Sequence, residues 1–193
     1  MKTYVINLDR RKDRLELLKI PFEWEKFSAF DGGKSNRMGA IRGCLKSHQT
    51  LLKLIQGLKL EEAIIFEDDV VLCENFEVKF NNILKNLPED WDLLFLGGWN
   101  KGNIIKYAEG LNIAELVYTT HAYVIRNKFI DVLLASLHSK DKTAVNENDY
   151  KTDVLLANCL LKGKCFICNP VLAWQREGYS DIECIRTNNL HLR

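Results

Sequence analysis

Three consecutive acids, Glu67-Asp68-Asp69, interrupt an apolar run from Ala63 to Leu72 that otherwise reads as a buried strand. Burying carboxylates is costly unless they are paired, hydrogen-bonded or bound to a metal, so acids at a strand's C-terminal end point to a divalent cation. A ligand set of oxygens alone favours Mg2+ or Mn2+ over Zn2+. A solvated turn would also account for the acids, but not for their position between Ile64-Ile65-Phe66 and Val70-Val71.

Other chemistry-bearing residues fall at similar places. Tyr4–Leu8 is a short apolar run followed by Asp9-Arg10-Arg11-Lys12-Asp13-Arg14. Asn7, Arg10 and Arg14 would approach a nucleotide from this strand's end, arginine supplying planar bidentate donors to phosphate. Local pairing of Asp9, Arg10, Asp13 and Arg14 on a solvated helix face is the competing reading. Asp31 precedes Gly32-Gly33 and suits either a base or ribose contact or a plain turn. His48 shares the apolar face of its helix with Leu45 and Leu52, as a core histidine or a donor-pocket residue would.

These residues need elements to carry them. Leu15, Leu17 and Leu18 suggest a helix stopped near Pro21, Phe27–Phe30 a second strand, and the polar stretch through Met38 a mobile loop. Apolar residues at helical spacing from Gly39 to Ile55 predict the clearest helix. Phe76–Leu87 reads as an amphipathic helix ended by Pro88, and Trp91–Leu96 as a buried strand before Gly97-Gly98. Strands at 115–118, 121–125 and 165–167 and helices at 127–137 and 149–161 complete an α/β pattern within one domain, residues 1–193. In open α/β sheets ligands bind outside the strands' carboxyl ends. The ends at Asn7, Asp31, Glu67 and Gly97-Gly98-Trp99 are expected to converge on one rim, where acids for a metal, arginines for phosphate and glycines for close approach suit a nucleotide diphosphate.

The chain of 193 residues has a net charge of +1 with both signs interspersed, which gives no footprint for nucleic acid. No apolar stretch is long enough to span a bilayer, and the N-terminus turns charged before a signal-peptide core could form. A cytoplasmic protein is expected, peripheral to a membrane where its acceptor is lipid-linked. Six irregularly spaced cysteines read as reduced thiols, including Cys165-Phe166-Ile167-Cys168, whose zinc-like spacing lacks a second pair. Gly33-Lys34-Ser35 lacks the earlier glycine of a phosphate-binding loop, Ser28 standing in its place.

Val5-Ile6-Asn7-Leu8 with Arg10 and Asp13-Arg14, then Gly43-Cys44-Leu45-Lys46-Ser47-His48, Phe66-Glu67-Asp68-Asp69-Val70, Trp91-Asp92-Leu93-Leu94-Phe95-Leu96-Gly97 and His121-Ala122-Tyr123-Val124-Ile125 follow one order. This order resembles glycosyltransferase family 25, which includes lipooligosaccharide and procollagen galactosyltransferases, and it continues through Pro170, Gln175 and Ser180-Asp181-Ile182. The resemblance implies a GT-A, Rossmann-like fold with a mixed central sheet flanked by helices, a UDP-galactose or UDP-glucose donor, and Mn2+ or Mg2+ held by the acidic motif. It places Glu67 near the donor ribose or sugar and at the metal, Asp69 as the direct metal ligand, and Asp68 in support of both. A further histidine ligand to the metal is implied, with His121 and the late-sequence His191 as the candidates, and Gln175 closes over donor or acceptor.

Glycosyl transfer with inversion, which the family favours, needs a carboxylate to take the acceptor hydroxyl's proton. Asp153 fits the family's acid-then-apolar segment, and Asp149 is expected four residues earlier on the same helix face, where it would equally serve the helix dipole. The expected function is hexose transfer to a hydroxyl of a glycan or glycosylated polymer. A silent nucleotide-sugar-binding module and a metal-dependent phosphoryl-transfer or hydrolase domain are the alternatives.

Overall fold

A computed structural model describes residues 1–33, 36–138, 146–183 and 185–187. Strand β1 (Lys2–Asn7) leads to a single helical turn α1 (Lys12–Leu15), shorter than the leucine spacing suggests, then β2 (Glu25–Ser28) and the long helix α2 (Arg37–Gly57). The apolar run holding the acids forms two strands rather than one, β3 (Glu62–Glu67) and β4 (Val70–Leu72), with Asp68-Asp69 as the turn between them. Helix α3 (Phe76–Asn86) precedes β5 (Leu93–Phe95), β6 (Trp99–Asn100), β7 (Ile105–Ala108), β8 (Leu111–Ile113), β9 (Val117–Tyr118) and β10 (Ala122–Arg126). Helix α4 (Ile130–Leu137), helix α5 (Thr152–Ala157), β11 (Cys165–Cys168), β12 (Ala173–Gln175), β13 (Gly178–Ser180) and β14 (Ile185–Thr187) follow.

The eight-stranded sheet runs β2-β1-β3-β10-β5-β11-β8-β7. Strands β1, β2 and β3 are parallel, and β10 lies antiparallel between β3 and β5. Alternation puts Tyr4, Ile6, Ile65, Leu93, Tyr123 and Ile167 on the face packed by α2, α4 and α5. Val5, Ile64, Phe66, Leu94, Val124 and Phe166 face α3 and the segment around Leu15 and Leu18. This sandwich of helices about a mixed sheet bears out the expected fold class. Among the described residues no helix is long and apolar enough to cross a membrane, and Cys44, Cys73, Cys159, Cys165 and Cys168 are free thiols.

Two close approaches fix the loops around the strand ends. A β-carbon on Gly39 would lie 2.1 Å from the Gly32 carbonyl oxygen, and one on Gly43 would lie 2.5 Å from that of Phe30. Glycines one turn apart therefore let the loop after β2 lie directly on the backbone of α2. The Ser47 hydroxyl accepts the Phe30 N–H at 2.9 Å and donates to the Gly43 carbonyl at 2.7 Å, completing the seam. At the other approach, a β-carbon on Gly97 would meet the Ala173 carbonyl oxygen at 1.8 Å.

Candidate active site

A cleft opens at the C-terminal ends of β1, β2 and β3, between the start of α2 and the β13–β14 hairpin, and extends to α5. One lobe is lined by Arg10, Phe30, Asp31, His48, Asp68 and Asp181; the other by Thr119, Thr120, Lys151, Thr152 and Asp153. Arg14, Cys44, Glu67, Asp69, Gln175 and Ser180 belong to both. Gln175 arrives beside the acids because β12 pairs with β4, Gln175 opposite Val70, while the Arg176 N–H donates to the Asp69 carbonyl at 2.7 Å.

The three acids sit in three different environments. Asp68 is buried and fully engaged: one oxygen accepts the Asn7 amide at 2.7 Å and the other the Arg14 guanidinium at 2.5 Å. Burial raises its pKa, and the charge and hydrogen bond of Arg14 offset only part of that. At Glu67 burial opposes ionisation, but His48, 3.4 Å from Oε1, and the Thr120 hydroxyl, donating to the same oxygen at 2.7 Å, hold the pKa below its ordinary value. Asp69 touches Arg14 through Oδ2 at 3.5 Å, whereas its Oδ1 is buried with no hydrogen-bond partner. Burial first, then repulsion from Glu67, pushes the Asp69 pKa up to about 7 despite Arg14.

These environments test the expected Mn2+ or Mg2+. Arg14 compensates one of three clustered carboxylates, and Asp69 keeps an unpaired buried oxygen, so the donor set fits a hard divalent cation at Asp69 with Glu67 beside it. Asp68 is committed to Asn7 and Arg14, consistent with a supporting rather than a ligating role. His191 lies outside the described residues.

Other expectations change with the geometry. Asn7, expected at a nucleotide, is 1% exposed and does not line the cleft; its amide donates to Asp68 and to the Arg11 carbonyl, so it holds the acid in place. Arg10 does line the cleft, paired with Asp31 at 2.7 Å and Asp181 at 2.9 Å. Arg14 links the acids to the hairpin by donating to the Tyr179 carbonyl at 2.7 Å. Asp153 lines the second lobe, its carboxylate accepting the Thr119 N–H at 3.3 Å and the Val154 N–H at 2.9 Å. Asp149 does not share its helix face: it lies in the 3-10 turn Glu147–Asp149 before α5 and does not line the cleft. The rim does not extend to Gly97-Gly98-Trp99. Gly97 packs on the Ala173 backbone, and Trp99, 43% exposed, carries Lys101 over its ring on the short β6–β9 pair.

Sequence reading assigned no role to Cys44 or Thr120. Thr120 approaches Glu67 from the loop that leads into β10, the strand inserted beside β3, a pairing that local pattern does not show. Cys44 had a signal, its i, i+4 spacing to His48 on α2.

The model of "Glycosyltransferase family 25 (LPS biosynthesis protein)" matches residues 39–117, which carry α2, the acidic turn and Gly97. That stretch is similar to glycosyltransferase family 25. "Inactive glycosyltransferase 25 family member 3" of Homo sapiens is 26% identical over 182 residues, covering 76% of this chain and 30% of that protein. "Putative glycosyltransferase R655" of Acanthamoeba polyphaga mimivirus is 25% identical over 146 residues, covering 63% of this chain and 44% of that one. The chain thus spans less than half the length of these relatives. Among solved structures, A197 from STIV shares the fold over 98% of this chain and 94% of its own, with a TM-score of 0.54 at 12% identity.

Proposed function

We propose that this chain is a family 25 glycosyltransferase that transfers galactose or glucose from a UDP-sugar to a hydroxyl of a glycan or glycosylated polymer, with inversion and with Mn2+ or Mg2+. The observation that carries this reading is the unpaired, buried Asp69 oxygen in a cleft that presents Arg14 beside it and a further carboxylate, Asp153, in the second lobe. Asp69 and Glu67 would hold the ion, and when bound it neutralises charge developing on the departing diphosphate. Arg14 has five N–H donors, of which Asp68, Asp69 and Tyr179 occupy three, leaving donors for a phosphate oxygen. Asp31, tied to Arg10, faces the nucleoside side of the same lobe. His48 and Thr120 keep Glu67 oriented, and Gln175 flanks the sugar position between the lobes.

Asp153 takes the proton of the acceptor hydroxyl as its oxygen bonds to the anomeric carbon, while the bond from that carbon to the diphosphate breaks and UDP leaves with the electron pair. The setting is the cytoplasm, peripheral to a membrane where the acceptor is lipid-linked. Calorimetric titration of UDP-galactose, UDP-glucose and GDP-mannose, each with Mn2+ and with chelator, tests the donor. Metal-dependent binding of one UDP-sugar supports the reading, and binding that ignores the chelator removes the metal from it. With a binding donor in hand, Asp153→Asn is expected to keep donor affinity and lose transfer; transfer at the native rate would remove Asp153 as the base.

A second reading, a silent donor-binding module, is favoured by the name "Inactive" carried by the human relative. It predicts metal-dependent donor binding with no transfer to any glycan offered and no release of free sugar. A hydrolase would instead consume the nucleotide without an acceptor.

A further inference from the structure

At the floor of the cleft a different set of donors comes together. Cys44 Sγ, an imidazole nitrogen of His48 and a Glu67 carboxylate oxygen all lie within 4.8 Å of one another. Cys44 and His48 are one turn apart on α2 and so share a face, which α2 turns toward the last residue of β3. His48 is 1% exposed, and its Nε2 has no hydrogen-bond partner although the ring is firmly held. That hold comes through Nδ1, 2.9 Å from the Tyr123 hydroxyl. In the tautomer whose Nδ1–H donates to Tyr123, Nε2 has given up the proton that would face Glu67 and can offer its lone pair to an ion between Cys44 and Glu67, the way a metal-binding histidine is oriented by a partner on its other nitrogen. Cys44 has a comparable support, the Thr152 hydroxyl donating to its sulfur at 3.4 Å.

We propose that Cys44, His48 and Glu67 bind a thiophilic divalent cation of the Zn2+ class, at a position next to the oxygen-lined one at Asp69 and with the opposite ligand preference. Thiolate and imidazole select Zn2+ and its neighbours over Mg2+ or Mn2+, and three protein ligands with a fourth position open to solvent is the arrangement of a reactive rather than a structural zinc site. Here the open position faces the cleft, which Cys44 and Glu67 both line. Tetrahedral bonds of about 2.0–2.3 Å place ligand atoms roughly 3.3–3.8 Å apart, so the three side chains need to close by at most about 1.5 Å. Coordination converts the Cys44 thiol to thiolate and releases its proton to solvent; no oxidant or reductant takes part. Because Glu67 serves both positions, the two classes of ion exclude one another there.

The site stands independently of the transferase reading, and its test uses a metal alone. The purified chain, reduced and stripped with chelator, is titrated with Co2+ without nucleotide sugar. One equivalent is expected to give a thiolate-to-cobalt charge-transfer band with the strong visible absorption of a four-coordinate ion, both abolished by added Zn2+. Cys44→Ser is expected to lose the charge-transfer band, with its circular dichroism melt showing that it remains folded. His48→Gln, which keeps the thiol, is expected to bind Co2+ at least about tenfold more weakly. Cys73→Ser, far from the cleft, is expected to leave the spectrum unchanged. Absence of the band, its survival in Cys44→Ser, or its loss in Cys73→Ser would overturn the proposal.

Discussion

The two halves of the sheet end very differently although most of their strands point the same way. Beyond β1, β2 and β3 the chain turns outward with Asp9, Asp31 and the Asp68-Asp69 pair, and the start of α2 and the β13–β14 hairpin border a cleft there rather than filling it. Beyond β5 the space is already taken: the Leu96 carbonyl accepts the N–H groups of Leu172 and Ala173 at 2.7 and 3.1 Å, and Gly97 lets that crossing segment lie against it. Strands β5 and β11 are buried along their whole length, and Cys165 and Cys168 are core thiols whose pKa values burial raises. A strand's carboxyl end is therefore a site only where no main chain crosses it, a condition stricter than strand direction.

That contrast can be broken from either side. The largest effect is expected from Arg14→Ala, which leaves Asp68 buried without its cation and should cost about 4 kcal/mol in denaturant unfolding at neutral pH. A loss below about 1 kcal/mol would mean that the acids are not held as an ion-paired cluster. On the closed side Gly97→Ala should cost about 3 kcal/mol, because the added carbon overlaps backbone that has nowhere to move. Native stability in that variant would mean that the crossing segment is free to retreat and the β5 end is not sealed.

A gain is expected from Asp69→Asn. The folded carboxyl ionises near pH 7 against an ordinary value of 3.8, so the unfolded chain gives up this proton first as pH rises. Native stability should fall between about pH 4 and pH 7 and stay low above it; Asp69→Asn removes this slope and should be more stable by about 2 kcal/mol at pH 8 with little change at pH 4. Mn2+ should raise the melting temperature of the native chain and not of the variant. Equal pH slopes in the two proteins would show that Asp69 is not the strained acid. The smallest effect belongs to Trp99→Ala, expected to stay within about 0.5 kcal/mol and to leave donor binding unchanged, since Trp99 stands apart from the cleft. Weakened donor binding would extend the site across to β6.

What the sequence disclosed follows the same division. The acidic turn was legible because its cost is local: carboxylates among Ile64, Ile65, Phe66, Val70 and Val71 need a reason whatever the topology. Helix α2 and the core strands β1, β3, β5, β10 and β11 showed in their periodicity. Strands β6, β7 and β8 were missed because they are short and mix polar with apolar residues. Contacts that depend on non-local pairing were also hidden. Asn7 looked like a nucleotide ligand until β1 was seen to pair with β3, which brings it beneath Asp68. Asp149 looked helical because periodicity was carried across Tyr150 and Lys151, where the backbone changes from a 3-10 turn to α5. Gly97 was assigned to a ligand because a sequence does not say which backbone a glycine approaches.

The insertion of β10 also orders events in time. Strand β3 ends at Glu67 and β5 at Phe95, yet both wait for residues Ala122–Arg126 before the sheet between them can close. Such long-range pairing slows folding and leaves strand edges exposed as the chain emerges from the ribosome. The Glu67 N–H itself finds its partner in the His121 carbonyl at 2.9 Å. Glu67, unlike Asp68 with its Asn7 and Arg14 partners, is therefore confined only after the central strand has docked, so a nascent chain carries that acid in water until a core exists to hold it.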